Sequence, residues 1–133
     1  MERYAHISED GERFQTIKDH LENTACLAGN FASSFGAENS AMLAGMLHDI
    51  GKYSDAFQRR LQEGAKVDHS TAGAQEARKR GNIPVAFAIA GHHSGIPDGG
   101  NRTDTATVRT LFGRFKRQLE DYSGWNKEIL ASD

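Results

Sequence analysis

A chain of 133 residues, 38% hydrophobic and 26% charged, is long enough for one domain around one core and too short for a large two-domain enzyme. Sixteen basic against eighteen acidic residues give a net charge of -2, which excludes a uniformly basic nucleic-acid coat but leaves room for a local basic face. One cysteine excludes an internal disulfide, no apolar run approaches the ~18 residues of a membrane span, and the charged residues 1–20 lack a signal peptide's apolar stretch, so a reducing cytoplasm is the expected compartment.

Residues 1–15 read as a polar leader with a turn at Asp10-Gly11. Helical spacing begins at Thr16, which with Asp19 fits a capping box. Leu21, Ala25, Ala28, Ala32 and Phe35 form the core stripe of this first helix, and Gly36 ends it. Cys26, among Thr24, Ala25, Leu27 and Ala28, reads as a buried, inert thiol. The segment 39–48 predicts a second helix, apolar nearly all round and therefore central, running into His48-Asp49-Ile50-Gly51-Lys52. A third helix over 54–63 turns Phe57 and Leu61 to one face and stops at Gly64. Asp68 caps a fourth over 69–80, stopped by Gly81. Pro84 opens a short apolar fifth over 84–91, which leads into His92-His93. Glycines and Pro97 make 94–103 a loop. A sixth helix over 107–122 carries Val108, Leu111, Phe112, Phe115 and Leu119, and Trp125 begins another that the chain does not complete. No strand is predicted; residues 85–89 alone have some strand character.

Six histidines are enriched for this length, and their placement matters more than their number. His48 with Asp49, His69, and His92 with His93 fall at helix ends or glycine turns, where polar groups can converge on a cleft while helices behind them supply the core. Imidazole with carboxylate suits Mn, Fe, Co, Ni or Zn and argues against Mg as the tightest binder. A carboxylate can also bridge two ions about 3.5–4 Å apart, which clamp a phosphate in transit. His6, in the polar leader, reads as ordinary surface.

His48-Asp49-Ile50-Gly51-Lys52, preceded by His20 and followed by His69 and His92-His93, resembles the HD-domain superfamily of metal-dependent phosphohydrolases. With the glycine-rich continuation over 92–100 it resembles, more narrowly, the HD nuclease domain of the CRISPR-associated Cas3 proteins, over residues 16–122. The resemblance implies an all-α, compact HD-type helical domain, a single unit over 1–133. It implies a first metal site of His20, His48 and Asp49, and a second of His69, His92 and His93 with Asp49 shared, for one or two divalent ions (Mn, Co, Ni, Fe, Zn or Mg). Asp49 and Lys52 are its catalytic positions; an ammonium there can hold a phosphate oxygen or steady the leaving group. The superfamily pattern adds a late aspartate, and Asp98, Asp104, Asp121 and Asp133 all lack its small, apolar helical setting, so the chain is expected to stop before its final helices.

The implied activity is metal-dependent hydrolysis of single-stranded DNA in CRISPR interference and antiviral defense, with a Cas3-type helicase domain in cis or trans and a CRISPR surveillance complex as partners, and no membrane. Ser94, Arg102, Arg109, Arg114, Lys116 and Arg117 are its candidate DNA contacts; five basic residues against Asp104 and Glu120 lie in 102–120, and Arg78, Lys79 and Arg80 form a second cluster. Phe14, Tyr53 and Phe57 are candidates for base stacking. Two other readings stay open: an HD phosphohydrolase acting on a nucleotide in a small closed pocket, and a non-catalytic metal-binding interaction module with an exposed apolar face around Trp125 and Ile129.

Overall fold

In the computed structural model, which describes residues 2–63, 68–93 and 95–129, the chain opens on a hairpin rather than an unstructured leader. Tyr4–Ile7 (β1) pairs antiparallel with Phe14–Thr16 (β2), joined by the anticipated turn, where Gly11 takes φ 72°. This corrects the strand-free expectation. The strands are too short for a visible period-two pattern, and only Ala5 of β1 is fully buried. Residues 85–89 are helical.

Seven helices follow among the described residues. Ile17–Ala32 (α1) starts where Thr16 Oγ1 accepts the Asp19 amide at 3.1 Å, and a 3₁₀ turn over Ser33–Phe35 closes on Gly36 at φ 75°. Glu38–Leu47 (α2) packs along α1 and gives way after His48-Asp49 to a second 3₁₀ turn, Ile50–Tyr53. Asp55–Glu63 (α3), Ser70–Lys79 (α4) and Ile83–Gly91 (α5) come next. Asn82 caps α5 by accepting the Val85 amide, with Pro84 in the first turn. Leu111–Phe115 (α6) and Trp125–Glu128 (α7) are the last helices among the described residues. None is long and apolar enough to cross a membrane.

Ile17 and Leu21 of α1, Leu47 of α2, Ile50, Ile89 of α5 and Leu111 of α6 are fully buried and hold the helices together. Two glycines set how closely the layers approach. A Cβ at Gly51 would run into the His69 backbone, and one at Gly73 into the Leu47 carbonyl. The turn after Asp49 therefore lies directly on the entrance to α4, and α4 on the end of α2. Gly51→Ala is expected to cost about 1–3 kcal/mol of stability, the usual range for forcing a methyl group into a packed site. A thermal melt run with a metal titration checks this; an unchanged melt with unchanged metal affinity would mean that the turn can move aside.

Several local expectations change. The sixth helix is five residues long, not sixteen. Thr110 caps it late, the Leu111 and Phe112 amides donate to the Asp98 and Gly99 carbonyls, and Gln75 donates to the Arg114 and Arg117 carbonyls where continuing helix would have bonded. The second helix is less central than its composition implies: of α2 only Gly45 and Leu47 are buried, and Met42 is exposed. Cys26 is exposed, at the rim of a surface cavity between α1 and α2 that it lines with Gly29, Met42 and Met46. Trp125 and Ile129 are buried, so the exposed apolar face that would have supported the interaction-module reading is not there. Phe35's side chain, Gly64, Ser94 and Asp133 lie outside what is described.

Candidate metal centre

Five histidines converge on Asp49. His20 comes from the first turn of α1, and His48 ends α2. His69 stands at the entrance to α4, and His92 and His93 follow α5. Asp49 sits between α2 and the 3₁₀ turn with φ -119° and is 3% exposed. Its Oδ2 faces His20 Nε2 at 2.8 Å, Lys52 Nζ at 3.1 Å and His48 Nε2 at 3.2 Å. Its Oδ1 faces His92 Nε2 at 3.2 Å, His69 Nε2 at 3.3 Å and His93 Nε2 at 3.9 Å. The donor atoms form two groups, each within 4.8 Å: His20, His48 and Asp49, and Asp49, His69, His92 and His93. Together they are capable of coordinating a divalent metal.

Tautomers test that fit. His48 Nδ1 lies 2.6 Å from the Gly45 carbonyl, and His92 Nδ1 lies 2.6 Å from that of Ile89. A carbonyl can only accept, so both Nδ1 atoms carry protons. In the neutral rings each Nε2 then aims a lone pair at a carboxylate oxygen. His20 Nε2 also faces His48 Nε2 at 3.1 Å, and His69 Nε2 faces His93 Nε2 at 2.6 Å. Lone pairs crowded on an ionised carboxylate repel unless cations lie among them. Protonating all five rings in this space would exchange that repulsion for repulsion among imidazoliums. Metal ions resolve both, and backbone carbonyls that orient the far side of ligating histidines are the usual support for such sites.

The charge environment agrees. Burial alone would push Asp49 up, yet its close imidazole neighbours His20, His48, His69 and His92 hold it far below the usual carboxylate range, so it is an anion. Burial lowers His92, but Asp49 and the Ile89 carbonyl outweigh it and leave the ring raised. His93 is lowered by burial, with His92 and His69 adding to the effect.

Other anticipated residues divide sharply. Lys52 is buried, with its ammonium on Asp49 and 5.5 Å from the Phe57 ring, so it neutralises the carboxylate. Arg114 is also buried, donating to Thr71 Oγ1, Ser70 Oγ and the Ala90 carbonyl. Arg117 pairs with Asp68 at 3.2 Å, and Arg109 is exposed. Lys116 donates to the Arg102 and Asp104 carbonyls, and with Arg78, Arg102, Phe112 and Phe115 it lines a separate cavity of about 520 Å³. Tyr53 is buried and donates to Glu128, which removes it as a stacking surface; Phe14 is exposed against Tyr4, and Phe57 is half-buried beside His69. Asp98, Asp104 and Asp121 belong to neither donor group, and Asp104 is taken up by Thr110 and the Asn101 amide.

His6 is the neighbour that sequence reasoning missed. Its ring stands edge-on to His20 with centroids 5.0 Å apart, because the hairpin folds β1 back against the start of α1. Burial and then the Lys52 charge lower its pKa.

The HD domain family profile matches residues 17–122. Ribonuclease Y of Syntrophobacter fumaroxidans is 39% identical over 85 residues, that of Opitutus terrae 38% over 84, and that of Thermobifida fusca 37% over 84. Each alignment covers 62% of this chain and 15% of the relative, so the chain spans a small part of the proteins it matches. These relatives overturn the narrower resemblance to Cas3. With it go the DNA substrate, the CRISPR role, the helicase domain and the surveillance complex. The physical reason is that the ligand spacing answers to the metal: the same imidazoles and carboxylate serve any phosphoryl substrate, and nothing in them registers the sugar.

Proposed function

The chain belongs to the HD domain family, and on that premise we propose that it is a metal-dependent phosphodiester hydrolase acting on RNA. The observation that carries the metal chemistry is the pair of histidines whose Nδ1 protons are fixed on backbone carbonyls while their Nε2 lone pairs face one buried carboxylate. The substrate class is supported by the relatives, which are ribonucleases by name.

His20, His48 and Asp49 would hold one ion, and Asp49, His69, His92 and His93 another. Divalent ions supply a more acidic water and positive charge for the phosphoryl oxygens. The chain does the rest. The Gly45 and Ile89 carbonyls keep His48 and His92 in the ligating tautomer without rotation. Lys52 balances Asp49 from behind and keeps it an acceptor. The exposed side of His93 leaves an approach for a chain-like substrate. No side-chain nucleophile is required, and Cys26 belongs to neither donor group. Histidine-rich donors favour Mn, Fe, Co, Ni or Zn over Mg.

The test incubates the chain with labelled single-stranded RNA, DNA of the same sequence, and mononucleotides, with each metal and with a chelator. RNA cleavage that chelation abolishes and metal restores is expected. Hydrolysis of DNA alone, or of mononucleotides alone, would overturn the substrate assignment. No hydrolysis by a metal-loaded chain would overturn the catalytic one.

A further inference from the structure

Beside the metal centre lies an open cavity of about 580 Å³, within the range of small-molecule sites. Its walls begin where two of the histidines end. Asp68 and Ser70 flank His69 in the chain, and Gly95 follows His93 by two positions. The far side is made of arginines 109, 114 and 117. We propose that this cavity binds the backbone phosphate of the RNA nucleotide next to the scissile one, with Arg109 as the cation that meets it. The inference rests on the RNA reading given above and extends it to the path of the strand.

The three guanidiniums have different roles. Arg114 has one donor from each of its three nitrogens on Thr71, Ser70 and the Ala90 carbonyl, and it is buried, so it contributes mainly charge. Arg117 is shared with Asp68 and, at 3.4 Å, the Ala106 carbonyl. Arg109 makes no hydrogen bond or ion pair with any described residue, although it lines the same cavity. Asp68 is the one carboxylate in the lining, and it is already occupied: it accepts from the Thr71 amide and hydroxyl and from Arg117. Three cations against one engaged anion leave an excess of positive charge facing solvent, with one fork of donors unused. A planar guanidinium matches two phosphate oxygens at once, which a point charge does not.

The remaining wall selects for a nucleotide over a bare anion. Ile96 and Pro97 border the cavity, and Ile96 is 77% exposed. An apolar side chain held in solvent beside arginines suits the face of a ribose or base whose phosphate lies on those arginines. A strand with one phosphate among His69, His93 and Asp49 is thus led into a neighbouring pocket of matching charge and surface.

The test measures binding and cleavage of a ten-nucleotide single-stranded RNA by the full chain and by Arg109→Ala and Arg109→Lys, across salt concentrations, with metal content read on the same samples. Removing one charge-assisted contact should weaken binding about tenfold and flatten the dependence of log affinity on log salt by about one unit. Metal content should match the wild type, and lysine should restore the salt slope more fully than the affinity. If the wild type cleaves RNA and Arg109→Ala keeps both affinity and slope, the subsite is wrong while the RNA reading stands. If the wild type neither binds nor cleaves RNA, both are overturned together.

Discussion

Asp49→Asn is expected to strip metal from both histidine groups and abolish hydrolysis. Asp49 is the one residue the two groups share, and each of its oxygens faces a separate cluster of Nε2 atoms. The amide keeps the shape but removes the negative charge that the two groups share, and its NH₂ offers a metal no lone pair. Removing only a group that orients a ligand commonly costs ten- to a hundredfold in metal affinity, so loss of the shared ligand should cost at least about a hundredfold. A second effect appears without metal. Lys52 is buried against Asp49, and removing one partner of a buried pair costs about 3–5 kcal/mol because the other charge is stranded. Metal content and denaturation in chelator measure the two effects separately. A variant that retained full metal content would show that histidines alone hold the ions, and the shared-carboxylate account would fail.

Arg114→Met should be the most damaging change outside the donor set. The guanidinium ties three places together: Ser70 and Thr71 at the start of α4, immediately after His69, and the Ala90 carbonyl, two residues before His92. Methionine fills similar space and satisfies none of those acceptors. The expected cost is about 3 kcal/mol, or roughly 10 °C in Tm for a domain of this size. Metal affinity should fall first in the His69, His92 and His93 group, while His20 and His48 lie on elements that Arg114 does not touch. Calorimetric metal titration resolves the difference. Equal weakening of both groups would indicate general unfolding and not a local tie. Arg114→Lys should rescue little, because one ammonium cannot reach three separated acceptors.

The sequence made the ligands legible and the supports much less so. His48-Asp49, His69 and His92-His93 stand at helix ends that turn residues announce; Thr16 and Asp68 take the capping roles that their side chains favour, and Gly36 takes the left-handed turn that its missing Cβ permits. Arg114 was different. In LFGRFKR it looks like one cation of a basic face, and only the short α6 lying against α4 turns it inward. Its flanking Leu111, Phe112 and Phe115 were the available signal, since an arginine within an apolar stripe points the same way as the stripe. His6 offered less, because a four-residue strand has no period to read and its approach to His20 depends on pairing with β2. Cys26 misled for the opposite reason: small neighbours suit a tight interface, but the interface of α1 runs through Leu21, Ala25 and Gly29.

The five imidazoles around Asp49 come from stretches of chain as far apart as α1 and the end of α5, so no short segment contains a working site. Closing those loops is an entropic cost borne before any coordination can begin, which makes the centre a late product of folding. Metal uptake therefore reports the finished topology, and an ion that binds only that topology draws the folding equilibrium toward it by mass action.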